Sequence, residues 1–189
     1  MPGFISFRVI LVIFIGIAIV YLISSGAYQP QTLIELREYI QTKGWIGPIV
    51  FIISFSILQP IGMGAHGFII ASSLIWPIHL AFTYSLIGAT LAAVFAFWFA
   101  RYVGYQWVQN RLPDKLRVYE KRLVENQFRS MLIMRLLFFT FAPMQLMFGV
   151  TRVQFPTFLI TTVLGISPLI LIEVWLGGTL FEWLMNLNA

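Results

Sequence analysis

The chain has no cysteine, which excludes disulfides and thiolate metal sites. Charge is scarce as well. Lys, Arg, Asp and Glu make up 10% of its 189 residues, against about 25% in soluble domains. Residues 44–100 contain none of the four. With 59% hydrophobic residues, the chain reads as an integral membrane protein of one domain, residues 1–189. HExxH, GxSxG and paired intramembrane carboxylates are all missing, so no enzyme, metal or cofactor is expected.

What charge there is gathers in one place. Residues 104–130 hold six cations, Arg111, Lys115, Arg117, Lys121, Arg122 and Arg129, and three acids, Asp114, Glu120 and Glu125. A basic loop beside apolar spans marks a cytoplasmic face, and it also suits anionic lipid headgroups. Nucleic acid is a poor partner for it.

The uncharged stretch is too long for one crossing and awkwardly broken for two. A helix needs roughly 20 apolar residues to span a core about 30 Å thick, and Pro60-Ile-Gly-Met-Gly-Ala-His-Gly67 interrupts the run. Non-helical backbone at membrane depth survives only under protein or beside a watery cavity. Residues 45–76 therefore read as a re-entrant hairpin, its turn shaped by Pro60, Gly62, Gly64 and Gly67. Between Arg135 and Arg152 the uncharged segment is again short and holds Pro143 and Gly149. Residues 131–150 read as a second hairpin, with those two forming its turn.

The remaining segments follow by pattern. Residues 1–24 are a first transmembrane helix or, given Ser24-Ser25-Gly26-Ala27 after a short apolar core, a cleavable signal peptide. Residues 31–43 form a surface helix with a Thr32/Glu35 capping box, ending at Lys43-Gly44. Residues 77–103 are a transmembrane helix whose Gly88, Ala92, Ala96 and Ala100 recur every fourth position, a ridge for close packing alongside Phe97. Residues 111–129 form an amphipathic helix, lying in the interface or packed on the membrane domain, with Pro113 in its first turn. Residues 156–185 are the last span. Trp45, Trp107 and Trp183 sit where interfacial anchors belong. The fold class is an all-α polytopic membrane protein with three full transmembrane helices, short interfacial helices and two re-entrant hairpins entering from opposite faces. That is the layout of an inverted repeat, with the N-terminus and the 104–130 loop cytoplasmic.

Few side chains are left to carry chemistry. Arg101 and Arg135 are candidates to line a shared polar cavity and grip a lipid phosphate, since a guanidinium offers two parallel hydrogen bonds. Their bland role is to snorkel as topology anchors. Glu173, His66 and Gln145 are candidates for an intramembrane polar or proton relay. Glu173 also fits a position near the outer interface, and His66, like His79, fits a hydrogen-bonded structural role.

Gly88-Ala-Thr-Leu-Ala-Ala-Val-Phe-Ala-Phe97-Trp-Phe-Ala-Arg101-Tyr-Val-Gly104 resembles the glycine-rich helix of the DedA superfamily, the VTT-domain or SNARE-associated Golgi protein family. Arg135-Leu, Gly149-Val-Thr-Arg-Val-Gln-Phe155-Pro-Thr-Phe158, Gly165-Ile-Ser-Pro168 and Gly177 are similar to its later motifs, so the resemblance covers roughly Pro48 to Gly177. Departures are Phe138 and Phe141 near proline positions, a displaced Pro143, Gln145 as the nearest amide, and Ser72 and Trp76 where glycine is usual. Acids placed before the first hairpin in proton-dependent members have no counterpart here. The resemblance implies a multi-pass protein of the bacterial plasma membrane. It implies lipid translocation in membrane homeostasis, either phospholipid scrambling or polyprenyl-phosphate flipping, with anionic phospholipid or polyprenyl phosphate as partner. A homo-oligomer is compatible with it. The reading from a different class is a non-transporting membrane assembly or scaffold factor.

Overall fold

The computed structural model describes residues 30–61, 64–111, 113–138 and 142–187. The first expected span, 1–24, and Gly62 lie outside them. Every regular element among the described residues is a helix: α1 (Pro30–Thr42), α2 (Ile46–Leu58), α3 (Ala65–Ile75), α4 (Ile78–Val103), α5 (Tyr105–Arg111), α6 (Asp114–Glu125), α7 (Gln127–Phe138), α8 (Ala142–Val150) and α9 (Phe155–Leu187). The chain divides into two units, 1–39 and 40–189, and the helices from α2 onward belong wholly to the second.

Two helices, Ile78–Val103 and Phe155–Leu180 within α9, are long and apolar enough to cross a membrane. The helices α2 and α3 have 13 and 11 residues, about 20 and 16 Å at about 1.5 Å per residue. Neither reaches across a core of about 30 Å. They run antiparallel, since Phe51 meets Trp76 (5.3 Å between ring centroids) while Phe55 stacks on Phe68 (4.8 Å). Their mouth is stapled where Gln41 Nε2 donates to Ile75 O at 2.7 Å. The pair α7 and α8 repeats the arrangement with 12 and 9 residues, and its mouth is stapled where Gln154 N donates to Gln127 Oε1 at 2.9 Å.

Both hairpins pack on the two long helices. The first arm of each lies along the long helix that follows it, α2 on α4 and α7 on α9; the second arm reaches the long helix of the other half, α3 on α9 and α8 on α4. Phe55 stands three residues before the end of α2 and faces Gly88, the eleventh residue of α4. Arg135 stands three before the end of α7 and faces Gly165, the eleventh of α9. The same contact thus recurs in each half.

Opposite ends of the α4–α9 pair receive the two hairpins. Trp76 touches Tyr84 near the start of α4, and Ser73 lies against Gly177 late in α9. At the other end Gly149 lies against Phe97 and Ala100 late in α4, and Arg101 bonds the turn before α9. Small residues make this possible: Gly88, Ala89, Ala92, Ala93, Ala96 and Ala100 are all buried, and in lipid close backbone approach replaces apolar burial as the source of attachment.

Several boundaries differ from the sequence reading. The surface helix starts at Pro30, before Thr32, and ends at Thr42, one residue before the expected Lys43; the turn that follows holds Gly44, whose φ of 55° suits glycine. The return arm starts at Ala65, so Gly67 is helical rather than in the turn; Gly64 is the N-cap. Pro143 sits in the first turn of α8, where its missing N–H costs nothing, and Gly149 packs α8 on α4. Neither forms the turn of the second hairpin. The amphipathic helix shrinks to 114–125. Pro113, in extended backbone, is its N-cap, and Asn126 breaks it before α7 starts at Gln127.

Candidate functional site

Arg135 is the largest fully buried side chain among the described residues, at 0% exposure. Two elements besides its own helix enclose it, α8 and α9. Gly165 on α9 leaves room for its stem, since a Cβ there would come within 2.5 Å of Arg135 Cβ. Its Nη2 donates to Thr162 Oγ1 at 2.9 Å, and Thr162 in turn donates its own proton to Phe158 O at 2.6 Å. Cζ lies 5.0 Å from the Phe158 ring and 5.5 Å from that of Phe148 on α8, within the about 6 Å at which ring quadrupoles attract a cation. Nε and Nη1 have no hydrogen-bond partner among the described residues. Gln145 is likewise at 0% exposure, on the same face of α8 as Phe148.

Arg101 lies elsewhere. Its Nη2 donates to Thr151 O at 2.8 Å and Val153 O at 3.1 Å, and Cζ sits over Phe97 (4.8 Å) and Tyr105 (5.1 Å). It clamps the turn at the base of the second hairpin. The rings of Phe97 and Phe158, 4.4 Å apart, stand between the two guanidinium groups. Among the described residues the two guanidinium groups share no hydrogen-bond partner: backbone carbonyls take Nη2 of Arg101, Thr162 takes Nη2 of Arg135, and the aromatic rings lie between.

The structure does join two other candidates. His66 Nδ1 lies 2.8 Å from Glu173 Oε1, tying the tip of the first hairpin to α9. The His66 side chain is 65% exposed and that of Glu173 22%; Glu173 Oε2 is buried with no partner among the described residues. Pro60 ends in the turn after α2, while Gly88, Ala92, Ala96 and Phe97 form the buried face of α4. His79 is exposed at the start of α4.

Three features escape the sequence. Thr162 carries no signal there beyond standing three residues before Gly165. Ser72 and Ser85, both buried and 2.8 Å apart, join α3 to α4; the first of them stands out only as a missing glycine. Glu120 Oε1 accepts from Gln109 Nε2 (2.6 Å) and Arg152 N (3.1 Å), fastening α6 to α5 and to the turn before α9.

Helices throughout the described residues, two of them long and apolar enough to cross a membrane, fit the class of helical membrane proteins. The family model for the VTT domain matches residues 64–179, more than half of the chain, so the protein belongs to the VTT-domain family. The match starts at the N-cap of α3, leaving α1 and α2 outside it. No curated protein and no solved structure matches the chain.

Proposed function

We propose that this protein moves lipid between leaflets, with Arg135 as the group that holds the headgroup phosphate and the two hairpins re-entrant at mid-membrane. The observation that carries the reading is the state of that guanidinium: fully buried, with a single hydrogen bond to Thr162 and two nitrogens unmatched among the described residues. A charged side chain at the centre of a membrane costs about 2.5–3.5 kcal/mol on insertion scales. Two ring faces and one hydroxyl offset part of that. A phosphate would supply the bidentate partner the fork lacks. Separation of the hairpin tips would admit it, and polar backbone near the turns would line its path.

A second reading, a non-transporting assembly factor, draws support from the enclosure itself. At 0% exposure Arg135 also suits a brace that fixes α7 on α9. Reconstitution of the full chain into vesicles with labelled phospholipid and with labelled polyprenyl phosphate separates the two. Translocation requires leaflet exchange of at least one lipid, lost in a folded Arg135→Gln protein. Well-folded protein that exchanges neither would sink it.

A further inference from the structure

At the base of the second hairpin, α6 and the turn before α9 enclose a groove of about 370 Å³ lined by Glu120, Lys121, Val124, Glu125 and Arg152. Its scaffold is fixed. Glu120 Oε1 accepts from Gln109 Nε2 and from Arg152 N, which anchors the backbone of Arg152. The charged residues that line the groove are Glu120, whose Oε1 is already taken, Lys121, Glu125 and Arg152. Lys121 Nζ and Glu125 Oε1 are 3.9 Å apart and both well exposed, a loose pair of the kind that contributes little. The Arg152 guanidinium makes no hydrogen bond or ion pair among the described residues.

An arginine fork without an acceptor, a lysine beside it and a carboxylate one turn along α6 match a ligand that carries phosphate and ammonium a few ångströms apart. The groove sits at the end of α4 and start of α9, where Tyr102 and Trp107 are exposed; such amphipathic rings collect at headgroup depth. We propose that this groove binds the headgroup of an aminophospholipid, Arg152 and Lys121 on the phosphate and Glu125 on the ammonium. The site is separate from Arg135 and requires no transport. Soluble phosphoethanolamine has the same chemistry, and the test must distinguish it from the lipid.

The measurement is lipid retention by the full detergent-solubilised chain, read by native mass spectrometry with dioleoyl phosphatidylethanolamine, dioleoyl phosphatidylglycerol and dioleoylglycerol. Arg152→Gln should lower phosphatidylethanolamine retention about fivefold or more, roughly one kcal/mol of binding. Glu125→Gln should erase the preference for phosphatidylethanolamine over phosphatidylglycerol. Arg122→Gln, an exposed cation of the same helix outside the groove, should change neither. Equal losses in Arg122→Gln and Arg152→Gln would reduce the effect to general charge attraction and overturn the site. So would retention of dioleoylglycerol equal to that of phosphatidylethanolamine. Complete displacement of the lipid by millimolar phosphoethanolamine would assign the groove to a soluble ester instead. Retention is read without leaflet exchange, so failure of the translocation reading would leave this result standing.

Discussion

Gly165 lies against the Cβ of Arg135, as Gly88 lies against the ring of Phe55. Each glycine lets the first arm of a hairpin approach its long helix, but the two do not tolerate a methyl group equally. At Gly165 the new Cβ meets the Arg135 Cβ at 2.5 Å, a stem atom that cannot swing away; at Gly88 the nearest atom is Cδ1 of the Phe55 ring at 2.9 Å, and the Phe55 stem lies farther off at 3.1 Å. Gly165→Ala should destabilise the protein by about 1–3 kcal/mol, and Gly88→Ala by less. Thermal melts in detergent check the order, and the reverse ranking would mean that the arginine stem yields more readily than the ring.

Thr162 is the one hydrogen-bond acceptor of Arg135 among the described residues. Thr162→Val keeps the shape and strands the guanidinium, for an expected loss of about 1–3 kcal/mol. In an Arg135→Met background, where no charge needs matching, the same change should cost little. A double-mutant cycle on melting temperature reads the coupling. Additive effects would show that the two side chains act independently.

Arg101 holds two carbonyls, of Thr151 and Val153, with one nitrogen. Arg101→Met should loosen the turn 151–154 and raise amide hydrogen exchange there, whereas Arg101→Lys, able to reach a carbonyl as a point charge, should restore part of the protection. No change in exchange for either variant would place the clamp elsewhere.

His66 and Glu173 tie the first tip to α9. Either His66→Ala or Glu173→Gln should speed labelling of a cysteine at Gly64 by several-fold, and the double variant should match the singles, since one contact is lost in each case. The chain has no cysteine of its own, so the background is silent. Labelling that stays slow in both singles would mean the tip is held by packing alone.

The staples at the two mouths make a matched pair of tests. Gln41→Ala removes the donor to Ile75 O, and Gln127→Ala removes the acceptor for Gln154 N. Each should cost about 0.5–1.5 kcal/mol, felt locally as faster hydrogen exchange at the affected mouth and not at the other. Protection lost at both mouths by either change would instead point to global loosening.

Much of the architecture is legible in the sequence because lipid imposes simple rules. Charge is excluded from the core, so the run 44–100 announces membrane burial. Proline and glycine interrupt it where a helix has to stop. Small residues every fourth position mark α4 as the helix others pack against, and every one of Gly88, Ala92, Ala96 and Ala100 is buried. Boundaries are less readable. Gly67, Pro143 and Gly149 look like turn formers because composition cannot tell a glycine that bends the chain from one that admits a neighbour.

The sequence by itself determined that the protein lives in a membrane, which segments are too short to cross it, and that Arg135 and Glu173 sit among apolar residues. Only the tertiary structure decided their partners. Arg135 could have met Arg101 at a common ligand; two phenyl rings and a pair of carbonyls keep them apart. Glu173 could have met either arginine and meets His66 instead. Periodicity fixes which face of a helix a residue occupies, but the element brought against that face depends on close contacts such as Gly165 on Arg135, set by residues distant in the chain.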